Sequence, residues 1–168
     1  MFRPQSVILL LAISLVAVSC GSTKSAATMA LPSTTTMECT QITGDGNYII
    51  EVQSRGRNIE KATESALKDV VKGVLFEGIT GSSINRIQTQ KPLVQDADVR
   101  LEKQDYFQHF FNSGDYRLYV EALPNIPPRV VKVVGGYKVK VSVILKKQLL
   151  RRRLENDGVI KSLGSSFN

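Results

Sequence analysis

The chain has 168 residues, of which 42% are hydrophobic and 22% charged, with a formal net charge of +7, one histidine and two cysteines. That length suits a single domain with a tether. So few histidines and cysteines exclude a Cys/His zinc cluster, and modest basicity favours anionic lipid, a cell-wall polymer or an acidic protein as partner.

The N-terminus has the three parts of a secretory signal: Arg3, then an apolar run from Val7 to Val18 broken only by Ser14, then small residues. The run is about 12 residues long, whereas a membrane-spanning helix needs about 20. Ala17-Val18-Ser19-Cys20-Gly21 resembles the bacterial lipobox. The resemblance implies cleavage before Cys20, acylation of its thiol with diacylglycerol and of the new N-terminus with a fatty acid such as palmitate, and anchoring to membrane lipid. Each buried methylene contributes ~0.8 kcal/mol, so more than one chain makes dissociation slow. The other reading is an ordinary cleaved signal that ends near a cysteine. Gly21, Ser22, Thr23 and Lys24 are not acidic, which for such lipoproteins implies an outer-membrane location facing the periplasm. Nucleic acid is not an expected partner of an exported protein, and no cofactor is expected.

Residues 20–40 read as the lipidated N-terminus and a flexible tether rich in Ser, Thr and Ala. Cys39 is then either an unpaired tether thiol or the site of an intermolecular disulfide. The folded domain is expected over 41–160, entered through a turn at Gly44-Asp45-Gly46, with a tail at 161–168. Asn47–Gln53 reads as a strand with Tyr48, Ile50 and Val52 on one face, ended by Ser54-Arg55-Gly56-Arg57. Asn58 is a candidate helix N-cap. Ile59, Ala62, Ala66, Leu67, Val70, Val71 and Val74 then recur at three- and four-residue steps, predicting an amphipathic helix to about Phe76. Gly78, Gly81, Ser82 and Ser83 open a long excursion. The glycines around it lack the Gly-Lys-Ser/Thr of a phosphate loop.

Ala97–Asn112 reads as a second helix, in which Tyr106, Phe107, Phe110 and Phe111 form a stripe suited to core or to a partner groove. Gly114 ends it, and Asp115–Leu123 alternates as a strand. Pro124, Pro127 and Pro128 forbid regular structure before Arg129–Val134 and Tyr137–Leu145, two strands joined at Gly135-Gly136. Tyr137, Val139, Val141, Val143 and Leu145 share a core face, and Lys138, Lys140 and Ser142 a wet one. Lys146–Asn156 closes the domain as a helix with Leu149, Leu150 and Leu154 inward and Gly158 as its cap.

No catalytic or metal-binding set emerges, so the chain is expected not to be an enzyme. His109 stands alone in the second helix. Asp96, Asp98, Glu102 and Asp105 cluster at a helix start, where acids suit the dipole, although a carboxylate pair of glycosidase type has the same composition. The candidate partner-binding residues are Lys146, Lys147, Arg151, Arg152 and Arg153, either a solvated helix face or a dock for an acidic partner, cell-wall polymer or lipid headgroups.

The predicted fold is α+β: a mostly antiparallel sheet with packed helices in the order strand-helix-helix-strand-strand-strand-helix. Val52 to Gly56, Ala62-x3-Ala66 and the Tyr137–Leu145 strand resemble the N-terminal domain of flagellar assembly protein T. They are more loosely similar to the curli-secretion and penicillin-binding-protein-activator lipoproteins. The resemblance implies a small domain attached to an envelope machine and carries over no functional residue. The expected role is a non-enzymatic accessory of a secretion-type envelope assembly. The alternative is a periplasmic binding lipoprotein for cell wall or a small ligand.

Overall fold

The computed structural model describes residues 36–162. The signal segment, Cys20, most of the tether and the last six residues of the tail lie outside the described residues. The sheet starts earlier than the sequence suggested, with β1 at Met37–Ile42 and β2 at Tyr48–Gly56. Residues 37–40 are therefore strand, not tether. Cys39 pairs with Ile50 across the ladder and is fully buried. Gly44-Asp45-Gly46 is the hairpin turn between β1 and β2, closed by Thr43 and Asn47.

Strand β2 also runs past the expected break, because Arg55 and Gly56 still pair with Lys138 and Tyr137. Ser54 faces the core side of the sheet, and its buried hydroxyl donates to Asp69 Oδ2 at 3.1 Å. That bond answers the cost of an uncompensated buried hydroxyl. Helix α1, Ile59–Phe76, begins as predicted: the Asn58 side chain accepts from the Lys61 N–H at 2.8 Å. Its stripe of Ala62, Ala66, Val70, Val71 and Val74 is buried against β2 and β5. Ile59 lies at the solvent end of that stripe, 42% exposed.

The excursion after α1 folds back on itself. Ile79 bridges Gln90, Ser82 bridges Ile87, and Thr80 lies alongside Glu38 of β1. Leu93 and Val94 donate their N–H groups to the carbonyls of Val74 and Leu75. The returning chain thus satisfies carbonyls that the helix end leaves unpaired.

The predicted second helix is two, α2 at Ala97–Glu102 and α3 at Gln104–Ser113, broken at Lys103. Phe107, Phe110 and Phe111 are core. Phe107 meets Phe76 edge-on with centroids 4.9 Å apart. Gly114 ends α3 in the left-handed conformation. The expected strand from Asp115 is a 3-10 turn, Asp115–Leu118, followed by a three-residue strand β3, Val120–Ala122. The turn seats Tyr116 and Tyr119 in the aromatic cluster with Phe110 and Phe111.

Strands β4, Arg129–Val133, and β5, Gly136–Leu145, form the expected hairpin, turning at Val134-Gly135. Gly136 belongs to the strand. A Cβ there would stand 2.2 Å from the Gly56 carbonyl oxygen, so the close approach of β2 demands glycine. The sheet is antiparallel throughout, in the order β1-β2-β5-β3, with β4 also paired to β5. The fold is the α+β class the sequence predicts. Helix α4, Lys147–Asn156, buries Leu150 and Leu154, whereas Leu149, expected inward, is 48% exposed.

Candidate functional site

Two regions bear on a candidate site: helix α4, which carries the basic run, and the β4–β5 hairpin, which combines charge with exposed valines. On α4 the five basic residues singled out from sequence do not act as one patch. Lys146 pairs with Glu121 at 3.2 Å. Lys147 donates to Gln90 Oε1 at 3.2 Å and lies 4.9 Å from the Tyr48 ring centroid. Burial, then the nearby Arg151, lowers the Lys147 pKa. Arg151 pairs with Glu155 at 2.7 Å and Arg153 with Asp157 at 2.5 Å, both one helical turn on. Asp157 also accepts the Tyr106 hydroxyl at 2.6 Å, tying α4 to α3. Burial pushes the Asp157 carboxyl up, but the bonds from Tyr106 and Arg153 outweigh it and hold it below the ordinary carboxylate range. Only Arg152 of the five has no such partner among the described residues.

The hairpin differs. Alternation puts Val139, Val141 and Val143 on the helix-covered face with Ile50, Val52 and Ser54 of β2. The opposite face therefore carries Glu51, Gln53 and Arg55 of β2 beside Ser142, Lys140 and Lys138 of β5. Register extends these rows into β4: Arg55 stands opposite Lys138 and Lys138 opposite Val131, while Lys140 stands opposite Arg129. Glu51 forms an ion pair with Lys140. Arg55, Arg129, Lys132 and Lys138 have no ion pair among the described residues. Like charges directly opposed across strands destabilise a sheet, and here two such pairs are adjacent.

Beside this charge runs an apolar edge. Among the described residues strand β4 pairs on one side only. Val130, Val131 and Val134 are 39%, 59% and 107% exposed, and Ile126 just before the strand is 49% exposed. Sequence reasoning placed Lys138 and Lys140 on a wet face but did not connect them with Arg55 and Arg129, which are far apart in the chain. The exposed valines of Arg129–Val134 were the available signal, since a strand with no polar face is ordinarily covered on both.

Other candidates resolve more simply. His109 is exposed on α3, and Asp96 caps α2 by accepting from the Asp98 N–H at 2.9 Å. Cys39 is a buried free thiol whose pKa is raised, chiefly by burial. An open groove of about 510 Å³ at the β1 edge is lined by Glu38, Glu51, Gln53, Thr80, Thr89 and Lys140, among others. A second cleft, about 360 Å³, lies between α1 and the turn after α3, where Glu64 bridges Lys61 and Arg117. Among the described residues no helix is long and apolar enough to cross a membrane. Comparison with protein-family models, curated proteins and solved structures gives no match.

Proposed function

We propose that the chain is a lipoprotein held to the outer membrane, on its periplasmic side, by acylated Cys20, and that it serves as a non-enzymatic accessory of a secretion-type envelope assembly. The supporting observation is the β4–β5 hairpin, an unpaired strand edge with Val130, Val131 and Val134 exposed beside unneutralised Arg129 and Lys132. Exposed apolar side chains along an open edge mark an interaction site, and the open edge itself is a template for pairing. The lipobox-like Ala17–Gly21 supports the anchor. The test is cross-linking in intact cells, detergent solubilisation of the envelope and purification through a C-terminal tag. Stoichiometric envelope proteins are expected with the native chain, and Cys20→Ala should move it to the soluble fraction. Recovery of a free monomer from cross-linked envelopes would remove the accessory role.

The groove at the β1 edge favours a second reading, a binding lipoprotein for a small polar ligand or a cell-wall fragment, because its lining mixes carboxylates, amide and hydroxyls. Retention on purified peptidoglycan that Glu51→Gln and Gln53→Ala abolish would support it, and no retention would end its cell-wall form.

A further inference from the structure

Among the described residues strand β4 presents three things together: unpaired peptide groups along its free side, exposed valines, and uncompensated positive charge. From these we infer that β4 is completed in the envelope by an extended, acidic segment of a partner protein, which adds to the sheet as a further strand beside it. The inference rests on the accessory reading and names the chemistry of the partner.

Each feature narrows the occupant. An antiparallel strand bonded on one side leaves about half its N–H and C=O groups facing outward. A lipid surface attracted by Arg129, Lys132 and Lys138 would draw these groups toward hydrocarbon, where nothing can pair them. A polypeptide strand pairs every one. A second copy of this chain could pair β4 with β4, but Arg129 and Lys132 would then face the same positive charges of the copy. Residues 1–35 and 163–168 contain no Asp or Glu, so those parts of the chain lack the complementary charge. An acidic strand from another protein meets all the conditions.

The register also specifies its side chains. Arg129 and Val131 lie on the open face beside Lys140 and Lys138, whereas Val130 and Lys132 lie on the helix-covered side with Val139 and Tyr137. A strand laid against β4 therefore places an acid opposite Arg129, apolar residues opposite Val130 and Val131, and a second acid opposite Lys132. The complementary pattern is acid, apolar, apolar, acid in an extended segment. An acid on the open face also lies near Lys138, whose cross-strand neighbours Arg55 and Val131 supply no negative charge.

The test uses the full-length acylated chain in cells, with photoreactive benzoylphenylalanine in place of Val131 and, as a control position, Leu149 on α4. Cross-linked peptides are mapped by mass spectrometry. The expected result is a cross-link from position 131 to one protein, within an extended acid-apolar-apolar-acid segment. Its yield should fall about tenfold or more when Arg129→Glu and Lys132→Glu are combined, while Arg152→Glu leaves it unchanged. Thermal unfolding of each purified variant confirms that the fold survives. Cross-links from position 131 to lipid, to another copy of the chain, or to a segment without acids overturn the inference. So does a yield that follows Arg152 instead of Arg129 and Lys132. If a partner is captured only from position 149, the accessory role stands and the strand-addition mode falls. If no protein is captured from either position and none copurifies, both fall.

Discussion

Val70 and Lys68 are two residues apart on α1 and mark the limits of what a substitution there can do. Val70 has no solvent exposure, whereas Lys68 is half-buried with its amine 5.6 Å from the Phe111 ring centroid. Val70→Asp places an unpaired charge in the core and is expected to lower stability by more than about 4 kcal/mol. Lys68→Glu loses a cation–ring contact of about 0.5–1 kcal/mol. Urea melts of the two variants check the contrast. Asp157 makes a residue-level prediction about pH. Its folded-state pKa is depressed by Tyr106 and Arg153, so its contribution is present above the unfolded carboxylate value of about 3.9 and is lost as pH falls below that value through the depressed folded-state one. Asp157→Asn should therefore be less stable than the parent at about pH 7, with the gap narrowing as pH falls through the depressed folded-state value, in denaturation curves across that range. Cys39, buried in the core, should resist maleimide labelling in the folded protein and react fully in urea. Labelling of the native thiol would restore the intermolecular disulfide reading.

At the scale of the element, the hairpin depends on backbone contact as much as on side chains. Gly136→Ala would place a methyl 2.2 Å from the Gly56 carbonyl. Since the opposing atom is backbone, the strands must separate, and a loss of about 1–3 kcal/mol is expected in thermal melts. Gly135, at the turn with φ +81 and open space around it, offers the contrast: a Cβ there meets nothing, so the loss reflects backbone strain alone, about 1 kcal/mol. Elements with strong local signals were legible from sequence. The Asn58 cap and the stripe from Ala62 to Val74 specify α1, and alternation specifies β5. The elements misread were those whose form depends on distant partners. The stretch around Cys39 resembles a tether by composition and becomes a strand because β2 offers it a ladder and a core in which Cys39 is fully buried. Tyr116 and Tyr119 would alternate in a strand, yet a 3-10 turn brings both into the aromatic cluster beside Phe110 and Phe111.

For the whole molecule, the described fold is a sheet with α1 packed on one face and charge on the other. Its described core begins at Cys39, so under the proposed anchoring Cys20→Ala is expected to abolish membrane retention without shifting the melting temperature of the domain. A lowered melting temperature would mean that the segment around Cys20 contributes to the fold. The α+β class and the principal core helix were readable from local pattern, because each depends on composition or on a periodicity within a few turns of chain. The candidate docking surface was not. Lys146 to Arg153 look like a patch in sequence because charge runs are visible there, but folding gives four of the five an internal partner. Arg55, Arg129 and Lys138 look unrelated until strand register gathers them on one face. Charge along the chain is a local property, whereas neutralisation depends on which distant side chains the sheet and the helix ends bring near, and only tertiary structure decides that.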